Sequence, residues 1–179
     1  MILMRFTPLA PLMLALMLGG CGSSVKEQAA GAYCPSPLTV QDADHLTRFK
    51  PGPGRDPRDV MFEAQLTGVA TACSINRDRL EVDLKMRIAV NAGPSVASNA
   101  PTQVPYFVRV LDSNNTVAQG QDFTADFKLS TANPRGQSIE ELTLTLPFAK
   151  ASDLAGYRVA IGLKPTMEEL QYNRHAAAR

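Results

Sequence analysis

Residues 79–90 read Arg-Leu-Glu-Val-Asp-Leu-Lys-Met-Arg-Ile-Ala-Val. Leu80, Val82, Leu84, Met86, Ile88 and Val90 are apolar at every second position, and Glu81, Asp83, Lys85 and Arg87 stand between them. In an extended chain successive side chains point to opposite faces, so this pattern is a β-strand with one dry and one wet face. A one-residue slip of register would bury four charges, so the pairing of this strand is strongly specified.

The same period recurs on both sides. Val60–Ile75 is expected to pair antiparallel with this strand across the turn-forming Asn76-Arg77-Asp78-Arg79. Val104–Leu111 is more uniformly apolar, which predicts a central strand, and Asp112-Ser113-Asn114-Asn115 then turns the chain into Thr116–Leu129. There Phe123, Ala125, Phe127 and Leu129 alternate with Thr124, Asp126 and Lys128. In Ile139–Leu146, Leu142, Leu144 and Leu146 oppose Glu141, Thr143 and Thr145, and a last run carries Tyr157, Val159, Ile161 and Leu163. Strands separated by turns, with no helix long enough for a parallel crossover, predict an all-β fold: an antiparallel Ig-like β-sandwich of about seven strands. Leu38–Phe49, with Thr39 and Asp42 at capping spacing, is expected to hold at most a helical turn. Pro165-Thr166-Met167-Glu168-Glu169 has the form of a capping box and predicts a short C-terminal helix that docks through Met167 and Leu170.

Composition sets the class. The chain has 179 residues, 45% hydrophobic, with 18 Lys+Arg against 17 Asp+Glu and no Trp. The apolar content suffices for a core of one domain. A net charge of +1 excludes a broad basic face for nucleic acid.

The N-terminus predicts an address. Arg5 precedes an apolar stretch, Phe6–Leu18, interrupted by Pro8 and Pro11. Thirteen helical residues rise only about 20 Å, short of the roughly 30 Å of a hydrocarbon core, so a secretory leader fits better than a membrane span. Leu18-Gly19-Gly20-Cys21 resembles the lipobox of bacterial lipoproteins. The resemblance implies cleavage before Cys21, acylation of Cys21, and anchorage of the mature chain in a lipid membrane. Two or three acyl chains hold a protein firmly where one does not. Gly22, where inner-membrane lipoproteins typically carry Asp, implies the periplasmic face of the outer membrane. Removal of residues 1–20 takes away only Arg5, leaving 17 basic and 17 acidic side chains, so attachment must come from lipid rather than charge. The expected organisation is a leader at 1–20, a lipidated Cys and flexible tether at 21–33, and one sandwich domain at 34–179.

With Cys21 committed to lipid, Cys34 and Cys73 remain as a pair in an oxidising compartment, and a disulfide between them is expected; free thiols or a metal site are the alternatives. Asp153-Leu154-Ala155-Gly156-Tyr157 resembles the tyrosine corner of immunoglobulin-like sandwiches, which implies a hydrogen bond from the Tyr157 hydroxyl to upstream backbone. The plainer alternative makes Tyr157 a core aromatic. Asp42, Asp44 and His45 superficially offer metal ligands, but nothing completes a coordination sphere. Gly93-Pro94-Ser95-Val96-Ala97 approaches a nucleophile elbow without its strand-to-helix setting. No catalytic residue, cofactor or metal is expected.

Leu46-Thr47-Arg48-Phe49-Lys50-Pro51-Gly52 and Glu168-Glu169-Leu170-Gln171-Tyr172-Asn173-Arg174, together with the lipobox and the strand pattern, resemble a family of bacterial envelope lipoproteins for which the resemblance implies no activity. Arg48, Phe49, Tyr172 and Arg174 are the expected contact surface for an envelope protein partner, aromatic and Arg side chains being enriched at interface cores. The alternative is that Phe49 and Tyr172 cap the ends of the sandwich. The polar segment Asn91–Gln103 is a candidate recognition loop. The expected function is therefore structural or protein-binding; the alternative is an envelope small-ligand carrier or an enzyme with a non-standard site.

Overall fold

The computed structural model describes residues 33–53, 55–76, 78–96 and 101–177. The leader, Cys21 and the tether through residue 32 lie outside the described residues, as do Arg77 in the expected turn and residues 97–100 of the polar loop.

Two four-stranded sheets face each other. One has the order β1 (Pro37–Thr39), β8 (Arg158–Leu163), β5 (Thr102–Leu111), β6 (Val117–Phe127). The other has the order β2 (His45–Phe49), β3 (Val60–Asn76), β4 (Arg79–Ala92), β7 (Arg135–Pro147). β1 runs parallel to β8, and every other pairing is antiparallel. The all-β sandwich follows from the alternation: Leu80, Val82, Leu84, Met86, Ile88 and Val90 of β4 are all buried, while Asp83, Lys85 and Arg87 are exposed. β5 lies between β8 and β6, central as its apolar run predicts.

Three features depart from the expectations. Leu38–Phe49 forms no helical turn but contributes β1 and β2, in which extended Leu46 enters the core and a register shift between Arg48 and Phe49 turns Phe49 toward Tyr172. This brings the count to eight strands among the described residues. The connectivity also differs from the immunoglobulin order, in which a sheet of strands A, B, E and D faces one of C, F and G. Here consecutive long strands pair directly, β3 with β4 and β5 with β6, before β7 returns to the side of β4. Finally, β3 carries a bulge at Thr67, where pairing shifts between Leu66 and Gly68. One extra residue flips the parity, so Val60, Phe62, Ala64 and Leu66 and then Val69, Cys73 and Ile75 all turn toward the core.

The interior divides into a large cluster and a smaller one. The larger fills the space between the sheets with Leu46, Phe62, Leu84, Met86, Ile88, Val104, Tyr106, Val108, Phe127, Ile161 and their neighbours. The smaller, at the β3–β4 turn end, holds Leu80, Val82, Val110, Leu146 and Leu154. A 3-10 turn over Ala151–Gly156 inserts Leu154 as its plug. The Cys34–Cys73 disulfide, with Cα atoms 5.6 Å apart, ties the start of the described chain to β3 beside this cluster. The helix α1 (Met167–Ala177) packs against β2.

Candidate functional site

α1 begins as its sequence dictates. The Thr166 backbone N–H donates to Glu169 Oε2 at 2.7 Å, and the Glu169 N–H donates to Thr166 Oγ1 at 3.3 Å, closing the capping box. The docking face is not the expected one. Met167 is 68% exposed, and Leu170 is half-buried, whereas Glu169 and Asn173 are only 4% and 2% exposed. The helix is thus seated by polar groups. The second carboxylate oxygen of Glu169 lies 3.0 Å from Arg48 Nε, so the buried charge meets a cation, a backbone donor and the positive end of the helix dipole. Asn173 Nδ2 donates to the His45 carbonyl at 3.3 Å. β2 is an edge strand, and this bond occupies one of its outward-facing backbone acceptors.

Around this seat the four expected contact residues come together; Phe49 is buried, Arg48 and Tyr172 are partly buried, and Arg174 is exposed. Phe49 is 7% exposed; its ring meets Tyr172 edge-on at 4.8 Å, and the Arg55 guanidinium lies 5.3 Å from its centroid. Arg174 Nη2 pairs with Asp42 Oδ2 at 2.9 Å, and Arg55 pairs with Glu168. Asp42 holds a positive φ of 61°, a conformation that Asp tolerates, and so presents its carboxylate to α1. Phe49 therefore offers no exposed ring, and Arg48, Phe49, Tyr172 and Arg174 fasten α1 to the sandwich. A shallow depression of about 500 Å³ remains between the Lys50–Gly52 loop, Arg55 and the first turn of α1. Its cations each face a carboxylate: Lys50 pairs with Asp59 at 2.7 Å, beside the Arg48–Glu169 and Arg55–Glu168 pairs.

The superficial metal triplet is taken up in the same region, with Asp44 Oδ1 on His45 Nδ1 at 2.9 Å and Asp42 on Arg174. Among the described residues no group of three or more His, Cys, Asp or Glu side chains is placed to hold a metal ion. Ser95 donates its hydroxyl to the Arg58 carbonyl at 2.7 Å. Gly93 stands so close to β3 that a Cβ there would lie 2.2 Å from the Val60 carbonyl oxygen. The first half of the Asn91–Gln103 segment is thus bonded to the Arg58–Met61 chain, and its ends belong to β4 and β5.

Asp153 Oδ2 accepts the Lys150 N–H at 3.0 Å and closes the 3-10 turn. Tyr157 follows that turn, its N–H bonded to the Leu154 carbonyl at 3.1 Å and its ring packed on the smaller core cluster. Among the described residues its hydroxyl has no hydrogen-bond partner, so the structure places a packing aromatic where the corner motif implies a hydroxyl tether.

Two polar clusters lie outside the expected sites. Inside the sandwich, Tyr106 donates its hydroxyl to Glu140 Oε2 at 2.9 Å, stacks on Phe123 at 5.2 Å, and Ser138 bonds the other Glu140 oxygen. Burial, and then the Glu140 bond, push the Tyr106 hydroxyl well above its ordinary pKa. On the outer face of the β5–β6 sheet, Asp122 sits between Lys164 and Arg109, 2.5 Å from each, and these two bonds hold its carboxyl below the usual range. The signal for Glu140 is its parity, since it shares the inward phase of Leu142 and Leu144. The Asp122 group carries no such signal, because Arg109 lies on β5 and Lys164 just past the end of β8. Compared with known proteins, the chain matches no family model, and no curated protein is significantly similar to it.

Proposed function

We propose that this chain is a lipid-anchored protein of the bacterial envelope, whose sandwich acts by contact with another envelope protein and performs no catalysis. Residues 1–20 direct export, Cys21 carries the acyl chains, and residues 22–33 form the leash between the bilayer and the disulfide at Cys34. The observation that carries this reading is Leu18-Gly19-Gly20-Cys21 at the end of the apolar Phe6–Leu18 stretch. Two further features support it. The Cys34–Cys73 bridge suits an oxidising compartment such as the periplasm. The mature chain has balanced charge, so lipid rather than electrostatics would supply attachment. Gly22 favours delivery to the periplasmic face of the outer membrane.

Catalysis would need convergent, perturbed titratable groups in a pocket. The groups with displaced pKa values are instead Tyr106 in the packed core and the ion-paired Asp56, Arg58 and Asp122 at the surface. Mass spectrometry of the native N-terminus tests the anchor, with an acylated Cys21 as the expected first residue. A bare Cys21, or cleavage elsewhere, overturns it. In-cell crosslinking then tests the interaction: a stoichiometric envelope protein is the expected capture, and none from an abundant protein counts against the reading.

A further inference from the structure

The outer face of β3, β4 and β7 has nothing packed on it among the described residues, and its pattern is unusual. Its rows, read across the three strands, are Gly68–Arg87–Ile139, Ala70–Lys85–Glu141, Ala72–Asp83–Thr143 and Ser74–Glu81–Thr145. In these rows the outward residues of β3 are all small, which leaves two adjoining troughs of about 450 and 270 Å³ along the strand. Ile139 at the rim is 51% exposed. Along β4 the charges fall in two blocks, Glu81 and Asp83 and then Lys85 and Arg87. Lys85 bonds Glu141, and Asp83 accepts from Thr143, but Glu81 and Arg87 have no ion-pair partner among the described residues. Six residues of strand separate these two by about 20 Å, so they cannot satisfy each other within one chain.

A two-fold rotation resolves this. About an axis lying in the interface and crossing β4 at Leu84, residue 84+k of one copy faces residue 84−k of the other. Arg87 then meets Glu81 of the second copy, Lys85 meets Asp83, and each contact occurs twice, as an isologous interface requires. The same rotation sets Ala70 over Ala72, so the low strips of the two β3 strands oppose each other and let the sheets approach. We propose that this face is a self-association surface whose occupant is a second copy of the chain, packed sheet on sheet about that axis. The proposal does not depend on the membrane anchor. The four rows span seven residues of each of three strands, about 23 by 14 Å and roughly 300 Å² of sheet per copy. That is well below the ~800 Å² per partner of a standard interface, so the dimer is weak and its charges decide whether it forms.

Charge exchange on the full-length chain in neutral detergent tests this by sedimentation equilibrium, from roughly 10 μM to 1 mM. Lys85→Glu with Arg87→Glu makes the β4 face wholly acidic, and Glu81→Lys with Asp83→Lys makes it wholly basic. Each variant alone is expected to stay monomeric, while their equimolar mixture recovers a dimer within about tenfold of the unaltered chain's affinity. Added salt should weaken the dimer of the unaltered chain. An independent variant, Ala70→Tyr, fills the trough without adding charge and should also abolish association. A monomer throughout the range for the unaltered chain overturns the proposal. So do single-type variants that still associate, a mixture that does not, or an Ala70→Tyr chain that dimerises as before.

Discussion

Tyr106 and Glu140 show how one residue can be legible in phase and illegible in role. Glu140 occupies an inward position of an edge strand, where a charge discourages pairing with another sheet, and it persists there because two hydroxyls donate to it. Tyr106→Phe removes one of these donors and is expected to cost about 1.5–3 kcal/mol near neutral pH in urea unfolding. The cost should depend on pH. The folded chain keeps the Tyr106 proton that the unfolded chain releases above about pH 10, so this contribution is complete below pH 10 and declines as pH rises beyond it. The difference between Tyr106→Phe and the unaltered chain should therefore narrow above pH 10. Tyr157→Phe, by contrast, removes a hydroxyl without a partner among the described residues. It should leave stability within about 0.5 kcal/mol, and a loss above 1 kcal/mol would restore the hydrogen-bonded corner.

At the level of elements, α1 illustrates the division between local and tertiary information. Its start is written in Thr166 and Glu169, which form the same two hydrogen bonds wherever the helix lies. Its docking face is not, since the partners of Glu169 and Asn173 are Arg48 and the His45 carbonyl, more than a hundred positions away. Apolar periodicity points to Met167, which faces solvent because the surface beneath α1 is the polar backbone edge of β2. Met167→Ser should be silent to within about 0.5 kcal/mol. Asn173→Ala should cost about 1–2 kcal/mol and raise hydrogen exchange in both α1 and β2, since the His45 carbonyl loses its cover. Glu169→Ala should cost at least as much, because it removes the cap and strands Arg48. Equal exchange in the Asn173→Ala and unaltered chains would mean that the helix is held by other contacts.

For the whole molecule, the Cys34–Cys73 bridge closes a loop across 39 positions and secures the point where the described chain begins. In the chain-entropy account such a loop contributes about 4 kcal/mol. Replacing both cysteines by Ala should lower the stability measured in guanidinium by up to that amount, and reductant should then have no further effect. By itself the sequence determined the all-β class, the inward phase of β4, β6, β7 and β8, the β3–β4 pairing and the capped helix. It did so because alternation and capping act over two to four residues and survive in any context. Only the tertiary structure decided that Leu38–Phe49 holds strands β1 and β2, that a bulge at Thr67 reverses the phase of β3, and how the strands connect. It also decided that Arg48, Phe49, Tyr172 and Arg174 gather where α1 meets β2 and Asp42. Each of these depends on what a distant segment offers across the contact, a burial or a charge that no local window of the chain contains.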